Sequence, residues 1–139
     1  TIRLHIEAFA GLPGFVKAPI MGNESMTVTV SDTPFITEIN VLKAQIWDGG
    51  DGRFAINLVL DRRGRLILEN VSASNRGKRV AVYCQFPEGK WIAAPRLDKL
   101  HSSGMFLFAP EVDRIDAQRI VDGLNRIAKH YEKDRDELD

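Results

Sequence analysis

Residues 53–86, RFAINLVLDRRGRLILENVSASNRGKRVAVYCQF, constrain the fold more than any other part of the chain. Phe54, Ile56, Leu58 and Leu60 recur at every second position, the period of a strand with one buried face. Ala55 and Val59 place some apolar cover on the other face as well. Asp61 follows as a helix cap, because its carboxylate can accept from the orphan amides of a first turn. Arg62 and Arg63 oppose the helix dipole there, so the cap matters more. Ile67, Leu68 and Val71 then recur at helical spacing. Ser72 and Ala73 are small, as a helix lying close on a sheet requires, and Gly77 is a left-handed stop. Val80, Val82 and Cys84 make one face of the next strand; Ala81 and Tyr83 make the other.

The flanks extend this strand–helix–strand unit. Ile2, Leu4, Ile6 and Ala8 alternate with polar residues as a half-buried strand. Gly11-Leu12-Pro13-Gly14 breaks it, and a loop is expected as far as Asn23-Glu24. Met26, Val28 and Val30 predict a second strand. Thr37 caps a brief helical turn, and Leu42, Ala44 and Ile46 begin another strand. Gly49-Gly50-Asp51-Gly52 reads as the hairpin joining it to the Phe54 strand. Pro87-Glu88-Gly89 turns the chain into a strand at Trp91, Ile92 and Ala93, which Pro95 ends. Met105 to Phe108 is a short last strand. Ala117, Ile120, Val121, Leu124, Ile127, Ala128 and Tyr131 form the apolar stripe of a last helix. The charged end, about 132–139, is expected to fray. The whole predicts a single domain, 1–139, of the α+β class: two layers, with two main helices on one face of a largely antiparallel sheet.

At 139 residues the chain suits one domain with a real core. Its formal net charge of zero gives no bulk attraction to nucleic acid or anionic lipid. One cysteine, Cys84, excludes an internal disulfide and reads as a small buried hydrophobe in a strand. No apolar run is long enough to span a membrane. The chain opens at Thr1, mid-strand and without a methionine, and reads as a mature or trimmed form whose signal or lipid anchor has been removed.

No catalytic signature stands out. His5, His101 and His130 fall in a strand, a loop and a helix end, without metal-ligand spacing. The glycine cluster at 49–52 joins two strands, whereas a phosphate loop needs a helix after it. Arg62, Arg63, Arg65, Arg76, Lys78 and Arg79 cluster at the two ends of one helix, about 15–20 Å apart at the usual rise, and read as solvated. Asn23-Glu24-Ser25 and Asn70-Val71-Ser72 match the glycosylation triplet but carry no weight. Phe15, Trp47 and Trp91 are harder to dismiss: exposed together, they would make an apolar interaction surface.

Several short motifs carry a resemblance. They are Phe54-Ala55-Ile56, Asn75-Arg76-Gly77-Lys78, Val80-Ala81-Val82, Ala93-Ala94-Pro95, Gly104 and Asp116-Ala117. Upstream, Thr27-Val28-Thr29-Val30, Pro34-Phe35 and Val41-Leu42-Lys43-Ala44 belong to the same pattern. Together they resemble the head part of the first periplasmic domain of the bacterial preprotein translocase subunit SecD, here as a stand-alone domain. The chain departs from that pattern at Phe86-Pro87-Glu88-Gly89-Lys90, where an Asp-Gly hairpin is usual, at Ser103-Gly104 in place of a glycine pair, and in an extra segment at 110–115. It also lacks the family's membrane helices.

The resemblance implies a non-enzymatic, periplasmic or cell-envelope domain linked to protein export. It would contact exported or envelope proteins or extended polypeptide, without cofactor, metal or nucleic acid. Two other readings stay open on the residues alone. One is a small hydrolase with an unrecognised site, which needs converging His, Asp, Glu or Cys. The other is a nucleic-acid binder through the basic cluster between Arg62 and Arg79.

Overall fold

The computed structural model describes residues 1–8, 14–21, 26–85 and 88–138, with side chains to residue 132. The expected breaks at Gly11-Leu12-Pro13 and Asn23-Glu24, the first glycosylation triplet and the Phe86-Pro87 part of the hairpin turn lie outside the described residues.

Among the described residues, nine strands and two long helices follow in chain order: β1 (Ile2–Ile6), β2 (Phe15–Pro19), β3 (Thr27–Ser31), β4 (Ile36–Thr37), β5 (Val41–Gly50), β6 (Arg53–Leu60), α1 (Arg62–Ser74), β7 (Val80–Gln85), β8 (Gly89–Ala93), β9 (Met105–Phe108) and α2 (Arg114–Leu138). A single 3-10 turn, Glu38–Asn40, separates β4 from β5 after Thr37. The class is α+β with antiparallel strand pairing, as the alternation predicts. The strands divide into a four-stranded sheet, β4-β1-β7-β8, a three-stranded sheet, β5-β6-β9, and the hairpin β2-β3.

Periodicity hides two strands, the two-residue β4 and β2 of the hairpin. β2 lies in the stretch read as loop, because its Gly and Pro neighbours mask a run of only five residues. It packs against the outer face of the four-stranded sheet, where Ala18, Val28 and Val30 meet Ala81 with Trp91 and Ala94 beside them. The inner face of that sheet carries Ile2, Leu4, Val80, Val82, Cys84 and Ile92. They share one core with Ile56, Leu58, Phe106 and Phe108 of the three-stranded sheet, Leu68 of α1, and Ala117, Ile120, Val121 and Leu124 of α2.

Local chemistry places the elements. The β5–β6 hairpin closes on Asp51-Gly52, whose φ angles of 54° and 76° fit the turn that follows strand twist. Asp61 Oδ1 accepts from the Gly64 N–H at 2.7 Å and starts α1 directly off β6. Gly64 itself is buried: a Cβ there would stand 3.0 Å from that of Asn40. Gly77 ends the α1 exit at φ 86°, and its N–H donates to the Leu97 carbonyl. Asp113 Oδ1 accepts from the Asp116 N–H at the start of α2.

Candidate functional site

The three aromatic residues singled out from the sequence occupy three different elements. Phe15 opens β2 and is half-buried. Trp91, on β8, meets the rings of His5 and Tyr83 edge-on at 5.0 and 5.2 Å, and holds the hairpin to the sheet. Gly89, two residues before it on the same strand, leaves room for the Tyr83 phenol, which a Cβ would strike at 1.7 Å. Trp47, on β5, is 45% exposed and belongs to the other sheet.

Around Trp47 the three-stranded sheet presents an outward apolar face that the sequence alone does not assemble. Strand register settles its membership: Lys43, Val59 and Met105 form one cross-strand row, Gln45, Asn57 and Leu107 the next, and Trp47 with Ala55 the third. Met105 and Leu107 are 39% and 47% exposed. The alternate residues, Ala44, Ile56, Leu58, Phe106 and Phe108, face the core. Strand alternation puts both Trp47 and Leu107 on the outside, but only the pairing through β6 brings β5 and β9 onto one surface.

Asn57 lies at the centre of this face and is 0% exposed. Its Nδ2 donates to Gln45 Oε1 at 3.4 Å and stands 3.2 Å from Met105 Sδ, while its Oδ1 is buried with no partner among the described residues. A buried amide oxygen without a donor costs stability of the order of 1–3 kcal/mol.

A cleft of about 440 Å³ runs along α2. Its apolar wall is Ile120, Leu124, Ile127 and Cys84, and its mouth carries Arg119, Arg126 and His130. The cleft brings His130 to the same surface as Cys84, which sequence distance hides. The thiol is nevertheless a poor nucleophile, because burial pushes it up to about 11 and leaves it protonated at neutral pH. Glu38 Oε2 in the same cleft is buried with no partner among the described residues.

His5 and His101 do not line this cleft. His5 pairs in register with Ala81 on the outer face of the four-stranded sheet, whereas Cys84 points into the core. The His5 Nδ1–H donates to the Ser31 carbonyl at 2.8 Å, and burial holds the imidazole below its usual range despite that bond. His101 bonds the Lys99 carbonyl beside Phe106. No group of three His, Cys, Asp or Glu able to hold a metal occurs among the described residues. The basic cluster is likewise divided. Arg79 spends its guanidinium on the Ala94 carbonyl at 2.6 Å and its N–H on Glu7, while Arg62, Arg63 and Arg65 stand exposed at the other end of α1. No helix among the described residues is long and apolar enough to cross a membrane.

No protein-family model matches the sequence, and no curated protein is similar to it. Solved structures do match. One is a structure of SecDF, a membrane component that enhances protein export; it superposes with a TM-score of 0.67 at 16% identity. That alignment covers 89% of this chain and 61% of the other. A second, the crystal structure of SecDF in a super-membrane-facing form, gives a TM-score of 0.69 at 16% identity, over 89% of this chain and 18% of the other. The chain therefore spans only part of the length of the SecDF chains it matches, and the likeness is one of fold. This chain has a SecD-like α+β fold.

Proposed function

We propose that this domain is a non-enzymatic, extracytoplasmic protein-interaction module linked to protein export, and that it contacts other proteins or extended polypeptide through the outward face of β5, β6 and β9. One observation carries the reading: a SecD-like fold leaves Trp47 on β5, and Met105 and Leu107 across β6 on β9, exposed on one sheet face. Large apolar side chains exposed on one sheet face supply the kind of contact that interaction surfaces use. The link to export draws on the fold shared with SecDF, itself a membrane component that enhances protein export, and the extracytoplasmic placement on the resemblance to SecD. Of the three aromatic residues read from the sequence, Trp47 belongs to this face; Phe15 and Trp91 serve the hairpin side of the fold.

The test uses fluorescently labelled, reduced and carboxymethylated α-lactalbumin as a permanently unfolded chain, with native α-lactalbumin as the folded control. Anisotropy is expected to show binding of the unfolded form. Trp47→Glu and Leu107→Glu each weaken it by about tenfold or more, the usual size of a central interface residue. Equal binding of folded and unfolded forms, or no effect of either substitution, refutes the proposal.

A further inference from the structure

We infer that the partner seated on this face is an amphipathic helix whose apolar stripe is flanked by carboxylates, an inference that rests on the interaction role proposed above. Shape is the first argument. Three strands at the usual spacing make a platform about 10 Å wide, the diameter of one helix with its side chains. The opposite face of the same sheet already packs against a helix, with Ile56, Leu58, Phe106 and Phe108 in one core with the α2 stripe. A helix on the outer face would complete the same packing on the other side.

Charge is the second argument. The charged positions on the face are Lys43, in the row with Val59 and Met105, and Arg53, which shares the face with Gly49. No carboxylate occupies a register position in the three rows. The platform thus carries Trp47, Met105 and Leu107 around the central Gln45–Asn57 amide pair, with Lys43 at one end and Arg53 at the other. That favours glutamates or aspartates flanking the apolar stripe of the partner and disfavours lysines.

A second copy of this chain fits less well. Face-to-face pairing would set cations against cations. Met105 makes the face adaptable, because its flexible thioether covers Asn57 and can re-pack against an incoming side chain. A partner that shifts it reaches the Asn57 carbonyl oxygen, which has no donor among the described residues.

The experiment reads Trp47 directly. Trp91→Phe leaves Trp47 as the only tryptophan of the two in the chain. The probes are a designed three-turn helix of leucine and alanine with glutamates flanking its stripe, and the same peptide with lysines in place of the glutamates. The acidic peptide is expected to shift Trp47 emission to the blue and saturate, binding about tenfold or more tighter than the basic one. Lys43→Glu combined with Arg53→Glu is expected to reverse that preference. Equal response to the two peptides, or no reversal, overturns the inference. So does a blue shift produced only by phosphatidylglycerol vesicles, which would assign the face to a membrane surface, or one produced by raising the protein concentration alone. If unfolded α-lactalbumin still binds at Trp47 while the acidic helix does not, the helix inference fails and the interaction role stands. If neither binds, both fail.

Discussion

Cys84 stands at the meeting of two tendencies that a lone thiol always presents, packing and reactivity. It lies on the inner face of β7 in register with Ile2, 4% exposed, and lines the cleft beside α2. Burial raises its ionisation to about 11, with the Glu38 charge adding in the same direction. Iodoacetamide should therefore modify the folded protein far more slowly than the urea-unfolded chain at pH 8, measured by intact mass. The thiol also couples stability to alkaline pH. The unfolded chain loses this proton near pH 9 while the folded chain holds it to about 11. The contribution is complete below pH 9 and falls by about 1.4 kcal/mol per pH unit between 9 and 11. Urea midpoints across that range check it, with Cys84→Ala as the variant that should lose this part of the slope. Rapid alkylation at pH 8 would contradict a buried, protonated thiol.

At the scale of elements, the edge of β5 shows how the fold protects an open sheet. Ala44 pairs in register with Leu58 of β6, yet its own N–H and C=O turn away from β6. Asn125 of α2 meets both: Ala44 N–H donates to Asn125 Oδ1 at 2.8 Å, and Asn125 Nδ2 donates to the Ala44 carbonyl at 3.0 Å. One side-chain amide thus takes the place of a neighbouring strand, a device that keeps an edge from pairing elsewhere. Asp48, further along β5, is held by Arg114 at the start of α2, so the helix grips the strand at two places. Asn125→Ala leaves two partly buried backbone groups unmatched and is expected to cost about 1–3 kcal/mol. Thermal unfolding followed by circular dichroism measures the loss. Light scattering is expected to show concentration-dependent self-association that Ile46→Pro suppresses by removing a donor from the same edge. A variant as stable and as monomeric as the parent would deny Asn125 this role.

For the whole molecule, what is legible in the residues follows how local each feature is. The α+β class, the Asp61 cap, the Gly77 stop, the Asp51-Gly52 hairpin and the α2 stripe depend on neighbours a few positions away, and each is present as read. β2 escapes periodicity because five residues between Gly, Pro and a turn carry too little of it. The division of the strands into separate sheets is not legible, because pairing between β1 and β7 or between β6 and β9 joins residues far apart in the chain. The candidate surface is legible by one residue in three. Periodicity puts Trp47 near a strand end, but only long-range register sets Met105 and Leu107 beside it and buries Asn57 between them. The central claim, that this face receives a protein partner, is tested most directly by a residue-resolved titration. Two-dimensional ¹H–¹⁵N spectra of the labelled domain are recorded as reduced, carboxymethylated α-lactalbumin is added. The account predicts shift changes gathered on Gln45, the Trp47 indole, the Asn57 side-chain amide and Leu107. Changes confined to Gly123 and Ile127 along the α2 cleft, or to Phe15 and Trp91, or no change at all, would contradict it.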